Sequence, residues 1–168
     1  MISGRKDIIR GRSLRIRGPV SAKDIVSNDF TESYHNITQI VAFERTFPNF
    51  AEEVFSKDIL VVDDNFGSAS SKELPSLVLQ KLGVKAVIGK SFFSGFYKNA
   101  FNIGLLCVQA NTDYIDDDND LIIDLRQIYI QNRTRQLGIK IKPIPKYYYH
   151  LYENGGLLHA LFQEGDSL

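Results

Sequence analysis

The sequence predicts an α/β fold: a central, partly parallel sheet flanked by helices. Three observations carry that prediction. Residues 59–62, 86–88 and 105–108 are short continuous apolar runs, as expected of strands buried on both faces. The first two are each followed by a stretch with helical spacing of apolar residues, the order that parallel pairing through crossover helices requires. A length of 168 residues suffices for one well-cored domain and is short for two, so residues 1–168 are expected to form a single domain.

Taken in order, the first 23 residues hold Arg5, Lys6, Arg10, Arg12, Arg15, Arg17 and Lys23 against one acid, Asp7. The alternation of Leu14 and Ile16 with Arg15 and Arg17 predicts a half-exposed strand whose arginines face water, with an anion site as the alternative. Residues 38–55 carry Ile40, Val41, Phe43, Phe47, Phe50, Val54 and Phe55, a helical pattern broken at Phe47-Pro48 because proline cannot donate a backbone bond and restricts the residue before it. After the strand at 59–62, residues 71–82 are expected to be a helix, with Leu74, Leu77, Val78 and Leu82 on one face and Gly83 as its stop. The strand at 86–88 leads through Gly89-Lys90-Ser91 to helical spacing over Phe92, Phe93, Phe96, Tyr97, Ala100 and Phe101. These phenylalanines are expected in the core or in a subunit contact.

The acidic run 116–120 lacks the spaced ligands, central glycine and terminal glutamate of a calcium loop, so a solvated turn is expected. Residues 121–125 and 127–130 follow as strands, and 145–153 as a short helix closed by Gly155-Gly156. Tyr147, Tyr148, Tyr149 and Tyr152 fit a helix that packs its rings and leaves its hydroxyls at the surface, in preference to a base-stacking platform.

Composition narrows the function. Hydrophobic residues at 43% and charged residues at 24% match globular usage and exclude a largely disordered or collagen-like chain. Twenty basic against twenty acidic residues leave no net charge to attract nucleic acid. No apolar run approaches the roughly 20 residues needed to cross a bilayer, and MISGRKDIIRGR lacks a secretory apolar stretch, so a cytoplasmic location without membrane contact is expected. A single cysteine, Cys107, cannot hold a cluster or a thiolate zinc site, and His35, His150 and His159 are scattered. Any metal chemistry would need its metal held by another chain.

The segment best able to do chemistry is Asp64-Asn65-Phe66-Gly67-Ser68-Ala69-Ser70-Ser71-Lys72-Glu73, between a buried strand and a helix. Ligands of open α/β sheets sit at such carboxyl ends. Gly67 and Ala69 leave the backbone accessible, a helix start offers free N–H groups, and Ser70, Ser71 and Lys72 add two hydroxyls and a cation, a set suited to a carboxylate or phosphate. Ser70 to Glu73 equally fits a capping box with no ligand at all. The segment is neither a Walker loop, a dinucleotide fingerprint nor a nucleophile elbow.

The run from Asp58 to Glu73 resembles the aconitase-type swivel domain, above all the small subunits of 3-isopropylmalate dehydratase (isopropylmalate isomerase), whose loop commonly reads Asn-Phe-Gly-x-Gly-Ser-Ser-Arg-Glu. Residues 86–93, 96–106 and 144–157 are similar to the family in the same order, so the resemblance covers most of 50–160. It implies a swivelling β/β/α domain that closes over a large subunit carrying an iron-sulfur cluster, with none bound by this chain. The implied reaction dehydrates and rehydrates a hydroxy-polycarboxylate, most simply 2-isopropylmalate to 3-isopropylmalate in leucine biosynthesis. Homoaconitate, methylmalate or a specialised analogue is the alternative substrate, and a non-catalytic anion- or partner-binding paralogue the alternative role.

By position, the resemblance makes Ser70 the proton-abstracting base and places Ser71, Lys72, Ala69, Ser68 and Lys23 around the substrate. Lys72 stands where the family has arginine, keeping the charge but losing the planar two-pronged donor. Ala69 replaces a glycine, with a penalty if φ is positive there. Near the start, Ala22, Lys23 and Asp29 depart from the family's Thr-Asp-x-Ile-x-Pro-x-Arg segment, which bears on the substrate more than on the fold.

Overall fold

A computed structural model describes residues 7–26 and 42–165. Its seven strands form one mixed sheet in the order β4-β3-β2-β1-β5-β6-β7. Strands β1 (Ile8–Arg15), β2 (Ile59–Val62), β3 (Ala86–Gly89) and β4 (Leu106–Gln109) are mutually parallel, and β5 (Asp120–Asp124), β6 (Tyr129–Asn132) and β7 (Leu137–Lys140) continue from β1 as an antiparallel meander. The sheet curls on itself. An isolated bridge between Ala110 and Ile141, with the Lys142 N–H donating to the Gln109 carbonyl at 2.8 Å, brings the two outer ends together.

All four residues of β2 are 0% exposed, as continuous apolar strands inside a two-sided cover must be. The helices among the described residues are α1 (Ala22–Ile25), α2 (Phe50–Ser56), α3 (Leu74–Lys81), α4 (Ser94–Asn102), α5 (Lys146–Glu153) and α6 (Leu157–Gly165), with a 3-10 turn at Thr112–Tyr114; α2 packs on β1 and α4 on β4, and α3, α5 and α6 pack on α4. The expected break at Phe47-Pro48 holds, since α2 begins at Phe50. Positions 38–41 of that stretch lie outside the described residues, as do 27–29 and His35. Phe96 and Phe101 are buried, Phe92 and Phe93 pack on the core, and Tyr148 stacks against Tyr97 and Phe101 at centroid distances of 5.1 and 5.2 Å. No helix among the described residues is long and apolar enough to cross a membrane.

The structure corrects several expectations. Arg15 does not face water: β1 is a central strand, and the Arg15 side chain is 2% exposed in an ion pair with Asp63. Arg17 is exposed, and pairs with Asp116 at 3.0 Å. The acidic turn is more than solvated. Asp116 also meets Arg135, Asp117 meets Lys57 at 2.7 Å and accepts the Arg15 N–H at 3.0 Å, and Asp118 meets Arg12 at 2.7 Å.

Strand β6 starts two residues later than its apolar pattern indicates, because Ile128 adopts φ 56° in the turn before it. Strand β7 and α6 are additional to the expected elements. Only Ile139 of β7 is buried, so its alternation is a weak signal.

Candidate active site

The chain leaves β2 at Asp63 and turns across the carboxyl end of the parallel strands. Asn65, at φ 53°, donates its N–H to Ser91 Oγ at 2.8 Å, and that hydroxyl donates to Asp64 Oδ1 at 3.2 Å. The Phe66 N–H donates to the Ser91 carbonyl at 3.2 Å, and the Phe93 N–H donates to the Phe66 carbonyl at 3.0 Å. The Phe66 ring anchors the turn in the core, edge-on to Phe96 at 5.0 Å. Gly67 has φ 78°, and a Cβ there would sit 2.5 Å from the Phe96 ring, so only glycine fits. Its N–H donates to the Val20 carbonyl at 2.9 Å, and the Ser68 carbonyl accepts the Ala22 N–H at 2.8 Å. The turn is thereby stitched to the segment that follows β1.

Beyond Ser68 the loop lifts off the sheet. Ala69 is exposed with φ 65°, the left-handed conformation that a side chain disfavours by about 1–2 kcal/mol. Replacing Ala69 by glycine should therefore raise stability by about 1 kcal/mol, seen as a thermal midpoint roughly 2–4 °C higher; an unchanged or lower midpoint would contradict the strain. Ser70 is half-buried, and its Oγ accepts the Lys72 N–H at 3.1 Å. The Ser71 carbonyl accepts Asn99 Nδ2 of α4 at 2.7 Å.

The capping box from Ser70 to Glu73 is not formed. Helix α3 begins at Leu74, with Glu73 as its N-cap and no side-chain cap bond, rather than at 71 as its apolar spacing indicates. The reason is Pro75. It has no N–H to give the carbonyl four residues back, Ser71, so the helix cannot extend that far. Asn99 takes that carbonyl instead. Ser70 thus lies four residues before the helix, beyond the reach of its dipole, which fades within the first turn.

What remains for an anion is local. The N–H groups of Ala69 and Ser71 have no acceptor among the described residues, whereas Ser68 is bridged to Ser21 and Ser70 closes the turn over Ala69. Lys72 is exposed beside them and makes no ion pair with a described residue. Lys23, exposed on α1, follows Ala22, whose N–H donates to the Ser68 carbonyl. The Asp24 carboxylate next to it accepts the Ser21 N–H at 2.7 Å and the Ser21 hydroxyl at 2.6 Å in a capping box. Free N–H groups beside a left-handed residue are of the kind that can receive an anion, and the exposed Lys72 adds a positive charge there.

Spacing alone did not single out Arg15, Asp63, Ser91 and Asn99, which hold the loop in place. Burial alone would raise the Asp63 pKa. The Arg15 guanidinium, the Gly18 N–H and the charge of Lys90 outweigh that and hold the carboxyl below its usual range. Cys107 lies in β4, fully buried, and burial pushes its thiol pKa up, so it is a neutral core residue and not a ligand. No group of three or more His, Cys, Asp or Glu among the described residues is arranged to hold a metal ion.

Residues 15–113 match the model of the aconitase C-terminal domain. The chain belongs to the aconitase family. It is 34% identical over 158 residues to 3-isopropylmalate dehydratase small subunit 2 of Archaeoglobus fulgidus, covering 93% of this chain and 96% of the relative. It is also 36% identical over 162 residues to the methanogen homoaconitase small subunit of Methanothermobacter thermautotrophicus, covering 95% and 94%. A crystal structure of 3-isopropylmalate dehydratase from Methanocaldococcus jannaschii superposes with a TM-score of 0.87 at 30% identity, over 94% of this chain and 95% of that one. This aconitase-family chain is accordingly a small subunit of the 3-isopropylmalate dehydratase type, a hydro-lyase component that works with a large subunit.

Proposed function

We propose that this subunit, acting through residues 1–168 as one swivel domain, completes a dehydratase that converts 2-isopropylmalate to 3-isopropylmalate in the cytoplasm. The large subunit would hold an iron-sulfur cluster, supplying the Lewis acid that assists departure of hydroxide. The observation that carries this reading is the loop itself. Ser70 sits between the free N–H groups of Ala69 and Ser71 with the exposed Lys72 next to it, on a chain that nearly spans its dehydratase relatives.

Each residue then has a task. The N–H groups of Ala69 and Ser71, with Lys72 and Lys23, hold the substrate carboxylates and fix the molecule over Ser70. Ser70 Oγ takes the proton from carbon as water is lost and returns it to the neighbouring position. A serine alkoxide is a strong base that is costly to form in water, so its charge must be stabilised by those same donors in a closed, water-poor site. Lys72 serves as a point charge, which neutralises a carboxylate without fixing its plane.

The similarity to a homoaconitase small subunit, together with Lys72, Ala69 and Lys23 in the site, favours a second reading with the same chemistry on homoaconitate or a related acid. The test is to express the chain with its cognate large subunit, with the cluster intact, and measure turnover of 2-isopropylmalate, homoaconitate and methylmalate. The proposal predicts the highest kcat/KM for 2-isopropylmalate. Preference for a longer triacid would move the assignment to the second reading, and no turnover of any of them would reject both.

A further inference from the structure

Arg15 and Asp63 lie off the reactive loop, yet the loop hangs from them. Asp63 closes β2, and its two carboxylate oxygens have different partners: Oδ1 receives an Arg15 guanidinium N–H, and Oδ2 receives the Gly18 N–H at 2.7 Å. Arg15 Nη1 in turn donates to the Ile16 and Val61 carbonyls at 3.0 and 3.2 Å, while Arg15 Nε is buried with no partner. Two charges, one 2% and the other 22% exposed, are therefore held where strand β1 runs into the crossing segment of residues 16–22.

A buried ion pair is a poor device for stability, because removing two charges from water offsets most of their attraction, and well-packed apolar side chains serve as well or better. An apolar residue at 63 could not, however, accept the Gly18 N–H. That bond fixes the turn leading to Val20, whose carbonyl receives the Gly67 N–H, and to Ala22, whose N–H reaches the Ser68 carbonyl. The order of contacts runs from Asp63 through Gly18 to Gly67 and Ser68, where the serine loop begins.

We infer that Arg15 and Asp63 are the positioning pair of this half-site: they clamp the 16–22 crossing to the end of β2 and thereby set where Ser68 to Lys72 and Lys23 stand. The assignment of a task to that loop rests on the dehydratase reading; the clamp itself does not. Neither residue touches substrate. Each acts through the backbone of the crossing.

Removing Asp63 alone would strand a buried guanidinium and endanger folding, so the test uses Arg15→Met with Asp63→Leu, which removes both charges together and leaves apolar side chains in their place. In the isolated chain, amide hydrogen exchange at Gly67 and Ala22 should accelerate at least tenfold, while amides of β2 and β3 and the thermal midpoint stay near those of the natural chain. In the assembled enzyme, kcat should fall at least tenfold on the substrate that the natural pair turns over. Unchanged exchange at Gly67 and Ala22 would overturn the proposal. So would loss of the fold, or a uniform rise in exchange, since either makes the pair a general stabiliser. If the natural pair turns over none of the acids, the dehydratase reading fails, and the exchange result still decides the clamp.

Discussion

Replacing Ser70 by alanine should lower kcat of the assembled enzyme by about 10²–10⁴, the usual worth of a positioned general base, and change KM by no more than a few-fold. The separation follows from the structure. Alanine preserves the backbone, so the free N–H groups of Ala69 and Ser71 and the Lys72 charge still meet the carboxylates. The loss inside the protein is small, because Ser70 Oγ accepts one bond, from the Lys72 N–H at 3.1 Å, at a half-buried position. Thermal midpoint and association with the large subunit should therefore hold. Parallel steady-state kinetics and binding on the purified pair check this. Undiminished turnover would remove Ser70 from the chemistry and favour a subunit that only binds.

Gly67→Ala should be the most destabilising change in the loop, by about 3 kcal/mol. Two costs add: about 1–2 kcal/mol for a side chain at φ 78°, and about 1–3 kcal/mol for forcing a methyl against the buried Phe96 ring. Phe96 cannot easily give way, since it also packs on Phe66 at 5.0 Å and Phe92 at 6.3 Å. At about 2–4 °C per kcal/mol for a chain of this size, the thermal midpoint should drop by roughly 6–12 °C. A drop under about 2 °C would mean that the turn can relax, and that its position is less fixed than the bonds from Gly67 to Val20 and from Ala22 to Ser68 imply.

Much of the fold could be read before the structure. Continuous apolar runs gave β2, β3 and β4, since a strand covered on both faces has no polar alternation to hide it. Arg15 was misplaced because alternation reports a half-exposed strand, whereas its counter-charge lies 48 residues away. No local pattern signals a buried ion pair. The start of α3, by contrast, was legible in principle: Pro75 forbids a helix through Ser71, a constraint that the apolar spacing of 71–82 obscures. Strand β7 is short and largely exposed, so it carries little periodic signal, and α6 packs on α4, more than 50 residues earlier in the chain, as well as on α5.

The candidate site divides in the same way. Ser70, Ser71 and Lys72 stand out from residue types and position alone, their roles come from resemblance to a family loop, and the chain belongs to that family. The anion-binding rationale changed with the structure, from a helix N-terminus to free N–H groups around a left-handed Ala69. Asn99 and Ser91, which shape the loop, lie more than 20 residues further along the chain and have ordinary surroundings in sequence.

The most direct measurement is a crystal structure of this chain assembled with its large subunit and a bound substrate. The account predicts a carboxylate on the N–H groups of Ala69 and Ser71 and Ser70 Oγ within about 3.5 Å of the carbon that gives up its proton. A substrate bound elsewhere, with the Ser70 hydroxyl turned toward Lys72 and remote from any reacting atom, would contradict it.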